Sequence, residues 1–515
     1  MIIIFIIIAL LLAGAIAWFF DNEKNNFARW FSLISLASLL LFFIYDTLFV
    51  AQTFTTFTPL VRFAWIKTFN IEFALALDNL SIILVILTLF LALICVLVSW
   101  HEIKTKIGFY YFNLLAAIAG IIGVFTAIDM FLFFFFWEIM LLPMTAIIAI
   151  WGHEQRHFAA IKFFIFTQIS SLIMLIAIIA MAYLYQQQFG QLSFYYHDWQ
   201  KLTLDSSMSF YLMLGFFIAF AVKLPSVPFH SWLPDAHTQA PTAGSVLLAG
   251  VLLKTGAYGL IRFVILLFPQ ASQEFAPVAI TLGVVSVLYG AKMAFAQQDF
   301  KRLVAYSSIS HMGFVMLALF AFNAVAYQGA VLTMVAHGLS SAAMFSMAGM
   351  IYSRIHTRSL AQMGGFWQSA PRMGGFALAF AAAAFGLPGL ANFVGEFLSL
   401  AGSFSAHPIA VMFAALGLIG SAIYGMYLFQ NSFQGPIKHT IADFSKRETL
   451  VAASLLFLLV FIGLFPNTVL QKIRIEQKIS VQKASEQKIS QQFVVQNINK
   501  LVMATPATIG RKDNE

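Results

Sequence analysis

The chain has 515 residues, of which 61% are hydrophobic and only 10% are charged, with a formal net charge of +8 and a mean hydropathy of +0.87. A soluble globular domain has roughly 45–50% apolar and about 25% charged residues, so this composition excludes an ordinary soluble protein. Apolar runs of about 20 residues, the length of one helical membrane crossing, recur from end to end. Because these runs do not alternate with polar residues, a β-barrel is excluded as well. The sequence predicts an all-α polytopic membrane protein.

Fourteen membrane spans are predicted in chain order. The chain begins with "MIIIFIIIALLLAGAIAWFF", which lacks a basic start and is long enough to span, so we expect a first helix and not a cleaved signal. The predicted spans cover residues 1–20, 28–50, 78–100, 108–126, 128–150, 160–185, 208–228, 245–268, 274–297, 302–323, 328–352, 372–402, 409–430 and 449–466.

The basic residues between spans indicate the orientation. Loops after odd-numbered spans hold most of them, including Lys104 and Arg354, whereas those after even-numbered spans hold few. Because cytoplasmic loops are enriched in Lys and Arg, odd loops face the cytoplasm and the N-terminus faces outward. By this span count the basic tail, residues 467–515, lies on the outer side of the membrane, which is an exception to the rule. We attribute it to the many basic inner loops, whose charge bias determines the orientation. For this tail, with "EQKIS" at 476–480 and 486–490, an interfacial or partner-packing helix and a frayed terminus both stay open.

Two predicted spans are interrupted by proline. Span 7 continues into "AVKLPSVPFHSWLPDAHTQAPTAGSV", and span 12 contains "FGLPGLANFVGEF". Proline removes a backbone donor, and in hydrocarbon such a break survives only where protein or a hydrated cavity satisfies the freed groups. Broken helices at matching places therefore indicate a transport site.

The matching places predict an internal repeat. Pro225 and Pro388 each follow a leucine and lie 388 − 225 = 163 residues apart, with five spans between the two breaks. An odd number of spans reverses orientation, so spans 4–8 and 9–13 would be inverted five-helix repeats. The predicted domains are a three-helix segment, two repeats, a last helix and a tail, at 1–104, 105–270, 271–432, 433–466 and 467–515.

Six ionisable residues within spans are the candidate functional residues. They are Glu138, Lys223, Lys254, His337 and Glu396, with His311 lying nearer a span end. A charge at the bilayer centre costs roughly 2.5–3.5 kcal/mol, so these groups must be paired, neutral or hydrated. Acids, lysines and imidazoles together suit a proton relay, because small changes in a neighbour's charge move a proton between them. The alternative is a set of buried pairs that only stabilise the fold.

Several of these residues also have simpler interpretations. His337 lies beside small residues and could form a helix-packing hydrogen bond. His311 could be a satisfied interfacial histidine, and Lys292 near a span end is expected to snorkel. The bulky phenylalanine side chains of residues 131–136 are expected to face lipid or to pack beside Glu138. The nearby residues His230, Asp235 and His237 lack a third strong ligand in sequence, so no metal site is expected.

Cofactor chemistry has little support in the sequence. The one cysteine, Cys95, can form no internal disulfide and cannot by itself bind an iron–sulfur cluster. Neither a G-x-G-x-x-G after a strand nor a G-x-x-x-x-G-K-[ST] is present, so nucleotide binding is not expected. Most basic residues lie in loops and in the tail, and no nucleic-acid partner is expected.

Several long motifs resemble a known family. "FLFFFFWEIMLLP", "KFFIFTQISSLIMLIAI", "KLPSVPFHSWLPDAHTQAPTAGSVLLAGVLLKTGAYGLIRF", "DFKRLVAYSSISHMGF", "YQGAVLTMVAHGLSSAAMF" and "GLPGLANFVGEF" resemble the antiporter-like membrane subunits of respiratory complex I. The resemblance extends from about residue 105 to 465. It implies a fourteen-helix, multi-pass subunit of the bacterial inner membrane with two inverted repeats. It also implies proton transfer driven by quinone reduction elsewhere.

The resemblance also implies roles and partners. Glu138 would modulate Lys223 at the broken helix, Lys254 would connect Lys223 to the central axis at His337, and Glu396 would exchange protons with the outer side. His311 also matches a family position, with a less defined role. No cofactor is expected in this chain, whereas NADH, FMN, iron–sulfur clusters and quinone are expected in partner subunits. The expected partners are other membrane-arm subunits, including sister antiporter-like subunits, together with the lipid bilayer and protons.

Related proteins leave alternatives open. The family also includes subunits of multisubunit Na⁺/H⁺ antiporters and of membrane-bound hydrogenases, which have the same core motifs. Glu396 and "DFKRLVAYSSISHMGF" favour the respiratory branch. A quinone-reducing subunit would need a redox motif, and none is found. A purely structural scaffold is the remaining alternative.

Overall fold

The computed structural model describes residues 2–21, 26–50 and 56–473. Within these ranges, 13 helices are long and apolar enough to cross a membrane. They begin and end within a few residues of the predicted spans, except that span 6 is longer and span 7 ends at its break. Their bounds are Ile2–Phe19, Phe27–Tyr45, Asn79–Ser99, Ile107–Thr126, Met130–Trp151, Arg156–Phe189, Ser206–Lys223, Thr242–Ile265, Pro269–Phe295, Phe300–Phe320, Ala324–Ile355, Pro408–Phe433 and Lys446–Leu464.

The remaining span is the broken span 12. It consists of two helices of 14 residues each, Pro371–Ala384 and Ala391–Phe404. Each half is shorter than the roughly 20 residues that one crossing requires. Span 7 is broken as well, because the helix that ends at Lys223 is followed by a short helix, Trp232–Gln239. The fold-class prediction, a helical membrane protein of about fourteen spans with spans 7 and 12 broken, is confirmed.

The break in span 7 is stabilised by side chains. Beyond Lys223 the helix ladder stops at Pro225, and buried donors satisfy the freed carbonyl groups. The Trp232 indole N–H donates to the Val222 carbonyl at 3.0 Å, and the Ser226 hydroxyl donates to the Ala221 carbonyl at 3.2 Å. This is the condition under which irregular backbone is tolerated inside a membrane.

The break in span 12 depends on glycine. Gly386 has φ +75° and Gly389 has φ +94°, a region of backbone conformation that residues with a Cβ rarely adopt. The Leu387 N–H donates to the Ala382 carbonyl at 3.0 Å, so the first half of the span ends in a wide turn. The sequence "FGLPGL" therefore produces a defined bend and not an unravelled segment.

The spans form a buried centre and two exposed flanks. In spans 10 and 11, every residue of the most apolar 18-residue stretch is buried, and in span 8 the buried share of that stretch is 94%. Spans 1, 6, 13 and 14 are only 33–39% buried over theirs, which suits helices that face lipid or neighbouring subunits. The central helices are the ones that carry Lys254, His311 and His337.

A β-hairpin joins spans 2 and 3, which the all-α prediction did not include. Strands β1 (Thr58–Ile66) and β2 (Ile71–Leu77) pair antiparallel, and the Arg62 and Glu72 side chains form an ion pair across them. The segment is rich in aromatic and β-branched residues but is too short and too polar to span. The carboxylate of Asp129 accepts a hydrogen bond from the Glu72 N–H at 3.1 Å, which ties β2 to the start of span 5.

The helix positions support the predicted repeat. Adding 163 to residues 107–126 of span 4 gives 270–289, which lies within span 9, Pro269–Phe295. The same offset moves residues 242–265 of span 8 to 405–428, close to Pro408–Phe433 of span 13. The domain boundaries at 105–270 and 271–432 stay a prediction. Residues 474–515, with both copies of "EQKIS", lie outside the described residues.

Candidate functional site

Lys223 ends the first half of span 7 in an apolar, aromatic environment. Its side chain is 1% exposed, and its Nζ has no hydrogen-bond partner among the residues that the structure describes. The Nζ lies 5.4 Å from the centre of the Trp137 ring and 5.3 Å from that of Phe163. Aromatic faces attract a cation but cannot accept its protons as a carboxylate does. The Lys223 amine is therefore held in the protein interior without a hydrogen-bond acceptor among the described residues.

Glu138 acts on Lys223 through space and not by direct contact. It is half-buried on span 5, and its Oε1 accepts a hydrogen bond from the Ser171 hydroxyl at 2.7 Å. No hydrogen bond joins it to Lys223, although its charge is the one that acts on the lysine. The two residues thus form an electrostatic pair without an ion-pair contact.

Lys254 lies on span 8 in an α-helical turn between two π-helical segments. Residues Leu248–Leu252 and Leu260–Ile265 are π-helical, and such bulges occur frequently at functional sites. The buried Lys254 Nζ contacts His337 Nδ1 on span 11 at 2.7 Å and also donates to the Ala249 carbonyl. Lysine and imidazole can share one proton at this distance.

His311 and Glu396 extend the row toward the break in span 12. His311 Nδ1 lies 2.6 Å from Glu396 Oε1, and both side chains are almost fully buried. The other ring nitrogen of His311 contacts the Tyr424 hydroxyl at 3.1 Å. The rings of His311 and His337 have their centres 5.5 Å apart. Four titratable side chains from spans 8, 11, 10 and 12 thus lie in one buried row, Lys254–His337–His311–Glu396.

Small residues bring the helices of this row together. A Cβ on Gly395 would lie 2.6 Å from Thr333 Oγ1, and one on Gly329 would lie 2.3 Å from the Ser399 nitrogen. Spans 11 and 12 therefore pack backbone to backbone, as small residues allow in membrane proteins. Likewise, a Cβ on Gly256 would lie 2.7 Å from the Leu224 nitrogen, so the helix that carries Lys254 packs directly on the break beside Lys223.

The structure separates the six candidates into two groups. It places Lys254, His337, His311 and Glu396 in one row, and it places Glu138 near Lys223 without contact. Lys292 is exposed near the end of span 9, where a snorkelling side chain is expected.

Several polar neighbours were not found from the sequence. Tyr424 lies in the apolar run "SAIYGMY", and nothing in its spacing indicated a partner. Asn392 lies four residues before Glu396, on the same helix face, and its amide donates to the Ser340 hydroxyl at 3.1 Å. That i, i+4 spacing is the one signal that could have identified it.

The residues considered as metal ligands have other surroundings. Asp235 accepts hydrogen bonds from Lys162 at 2.7 Å and from Arg302 at 3.1 Å. His237 is fully buried and its ring stacks on Phe345, with ring centres 4.6 Å apart. Within the described residues, no group of three or more His, Cys, Asp or Glu side chains is arranged to hold a metal ion.

This arrangement defines a class of protein. Amine, imidazole and carboxylate groups exchange protons with one another, and here they lie buried between two helices that are broken inside the membrane. Helical membrane proteins that move ions are built in this way. The chain is thus a multi-pass membrane protein of the ion-translocating kind.

Known proteins identify the family. The family described as "NADH:quinone oxidoreductase/Mrp antiporter, TM" matches residues 127–424. NADH-quinone oxidoreductase subunit M of Pseudomonas aeruginosa is 45% identical over 487 residues, covering 91% of this chain and 95% of that protein. The subunit M of Escherichia coli K12 is 46% identical over 475 residues, covering 89% and 93%. The chain therefore belongs to the NADH-quinone oxidoreductase subunit M family of the bacterial inner membrane.

Solved structures agree with this assignment. A chain of respiratory complex I from Thermus thermophilus with bound NADH superimposes with a TM-score of 0.84 at 28% identity, covering 93% of this chain and 99% of that one. A chain of the Mrp complex from Dietzia sp. DQ12-45-1b superimposes with a TM-score of 0.80 at 18% identity, covering 92% and 96%, a similarity of fold alone.

Proposed function

We propose that this chain carries protons across the membrane as an antiporter-like subunit in the membrane arm of NADH–quinone oxidoreductase. Quinone reduction in other subunits supplies the energy, and those partners bind NADH, FMN, iron–sulfur clusters and quinone. The chain itself contributes no redox centre, so its part in the enzyme is translocation. The observation that carries the proposal is the buried row Lys254–His337–His311–Glu396, which begins in the first predicted repeat and ends in the second.

The row can transfer protons by short steps. Lys254 donates to Nδ1 of His337. Because no hydrogen bond joins the His337 ring to the His311 ring, whose centres are 5.5 Å apart, the proton passes between them through a bridging water. His311 passes it to the Glu396 carboxylate, with which it is in contact at 2.6 Å. Imidazole suits the middle of such a row, because it titrates closest to neutral pH. Glu396, beside the break in span 12, is the group that exchanges with the outer side.

Lys223 and Glu138 control access to the row. A charge change passed along the membrane arm shifts the interaction between Glu138 and Lys223, and Lys223 then gains or loses a proton. Its amine has no hydrogen-bond partner within the described chain, so its protonation depends on burial, which opposes the charge, and on the charge of Glu138, which favours it. Because no hydrogen bond joins Lys223 to Lys254, the proton moves between them through a bridging water.

Replacing Glu138 with glutamine tests this control. Glutamine keeps the hydrogen bond from Ser171 but removes the charge that acts on Lys223. We expect quinone-linked proton pumping by the purified assembly in vesicles to fall about tenfold, below the range of roughly 10²–10⁴-fold expected for a group that transfers the proton itself. The exposed Glu274 offers a matched control, and Glu274→Gln is expected to pump normally. Normal pumping by a fully assembled Glu138→Gln variant would exclude the control role.

The alternative functions within the wider family differ from proton translocation in their expected dependence on sodium. The Na⁺/H⁺ antiporter and hydrogenase alternatives are not favoured, because the curated relatives reported above carry the name NADH-quinone oxidoreductase subunit M. A sodium-coupled subunit would stop working without sodium. We expect proton pumping to continue unchanged when choline replaces Na⁺ in the assay, and a loss of pumping in that medium would favour the antiporter.

A further inference from the structure

A cavity with charged and apolar lining residues lies at the membrane end that the loop charges assign to the cytoplasm. It has a volume of about 660 Å³ and is lined by the ends of spans 2, 3, 8, 11 and 14, and we call it the inner cavity. None of the four residues of the proton row lines it. Its cationic wall contains Arg29, Lys104 and Arg447.

The cations of the inner cavity form no ion-pair contact with any residue that the structure describes. Within the described residues, neither Arg29, Lys104 nor Arg447 forms an ion pair, and the Nε of Arg29 and the Nη1 of Arg447 are buried without a hydrogen-bond acceptor. Arg29 donates instead to the side chain of Asn26 and to the Ile103 carbonyl at 3.0 Å. The positive charges of Arg29 and Arg447 oppose each other, and an anion between them would remove that cost.

The two carboxylates at the cavity are already engaged. Glu448 is held by both terminal nitrogens of Arg354, each at 2.8 Å. Glu102 accepts the Thr242 N–H at 3.0 Å, at the start of span 8. The electrostatic field inside the inner cavity is therefore positive. Burial lowers the pKa of His101, on the cavity wall, and the charges of Arg447 and Arg29 lower it further.

The cavity wall also has an apolar side. Leu97, Val98 and Val451 line it, next to Trp100, whose ring packs edge-on against Trp30 at 5.0 Å between ring centres. Tryptophan is enriched at the level of lipid headgroups. On the polar side, the hydroxyl of Ser346 is 98% buried and has no partner in the described chain. A cationic wall, a free hydroxyl and an apolar wall together suit an amphiphile with an anionic head.

We propose that the inner cavity binds the phosphate group of an anionic phospholipid from the cytoplasmic leaflet, through Arg29 and Arg447. Two guanidinium groups match the oxygens of a phosphate, and the apolar wall receives the start of an acyl chain. Free phosphate would satisfy the same cations but would leave the apolar wall unused. The site adds a lipid contact that ties span 2 to spans 3 and 14.

The test uses the whole assembly in vesicles that contain photoreactive phosphatidylglycerol, with cross-linked peptides mapped by mass spectrometry. In the wild type we expect labelling of the peptides that contain Trp100 and Ser346. In an Arg29→Gln/Arg447→Gln variant we expect that labelling to fall about tenfold or more, the loss expected when hydrogen bonds to charged groups are removed. Photoreactive phosphatidylcholine is expected to label these peptides weakly, because it carries no net charge.

The matched control is Arg372→Gln, which removes an exposed positive charge from the same side of the protein and should leave the labelling unchanged. Equal labelling of the wild type and the double variant would overturn the proposal. Complete displacement of the lipid by inorganic phosphate would assign the site to free phosphate and overturn the lipid source. If the double variant fails to assemble, the Arg447→Lys and Ser346→Ala variants replace it. Each is expected to lower the labelling, and equal labelling in both would overturn the proposal.

Discussion

Replacing Lys223 with methionine is expected to stop proton transport through this subunit and, at the same time, to make the assembly more resistant to unfolding. The amine is buried among Trp137 and Phe163 without a hydrogen-bond partner in the described chain, so the fold gains little from it. A lysine near the bilayer centre costs roughly 2.5–3.5 kcal/mol, and methionine fills the same volume with favourable aromatic contacts. We expect a gain in stability of about 1–3 kcal/mol, up to the cost of burying the amine.

In the same Lys223→Met variant, proton transport is expected to fall although stability rises. Loss of a proton-transferring group costs roughly 10²-fold or more in rate. Pumping in vesicles and heat-induced unfolding of the purified assembly would be measured together, with Lys292→Met as the control because Lys292 is exposed. If Lys223 had only a structural ion-pair role, the Lys223→Met substitution would lower both the pumping rate and the resistance to unfolding. A stabilised variant that pumps normally would exclude Lys223 from the relay.

The Glu396→Gln variant is expected to lose proton transport with little change in stability. Glutamine can still hydrogen-bond to His311, and His311 keeps its contact with Tyr424. The net contribution of one neutral hydrogen bond is about 1 kcal/mol, so assembly should be close to normal. The amide cannot take up and release a proton in this row, and we expect pumping to fall by roughly 10²-fold.

The conservative variant separates chemistry from packing at this position. Glu396→Asp keeps a carboxylate but shortens the reach to His311, so we expect pumping to recover in part. A purely structural role predicts the reverse order, with glutamine closer to the wild type than aspartate. Rates of pumping and the amount of intact assembly would be compared for the two variants, and normal pumping by Glu396→Gln would contradict the proposal.

The breaks and the buried charges could be predicted from the sequence because each has a local cause. Pro225 and Pro388 interrupt helices whatever surrounds them, and an ionisable residue in an apolar run stands out against its neighbours. The 163-residue offset between the prolines also predicted which helices correspond. The hairpin at 58–77 leaves no comparable signal, because β1 and β2 are only 9 and 7 residues long and form no apolar run of about 20 residues.

The contacts within the row could not be predicted, because they depend on how closely helices approach. The 5.5 Å separation of the His311 and His337 rings follows from the packing of three helices, to which Gly395 contributes by its contact with Thr333. The direct partner of Glu138 is Ser171, 33 residues away on another helix, and no pattern in the sequence pairs them.

The repeat also relates the two ends of the mechanism. Adding 163 to Lys223 gives Gly386, at the break in span 12, and a Cβ there would lie 3.3 Å from Glu396 Oε2. The carboxylate of Glu396 therefore lies beside the position that corresponds to Lys223, although it comes from the other half of its span. Each break thus has a titratable group of the proposed relay beside it, an amine in the first repeat and a carboxylate in the second. This asymmetry suits a row that accepts protons at one end and releases them at the other.

The most direct test of the central claim is the number of protons pumped per electron by the assembly carrying Lys254→Met. Lys254 is fully buried and begins the row through its contact with His337, whereas the exposed Lys292 provides the control Lys292→Met. Protons appearing inside vesicles and NADH oxidised outside would be recorded in the same sample. If protons pass along this row, the Lys254→Met variant will pump fewer protons per electron or stop turning over, and Lys292→Met will match the wild type. An unchanged rate and an unchanged ratio in a fully assembled Lys254→Met variant would contradict the account.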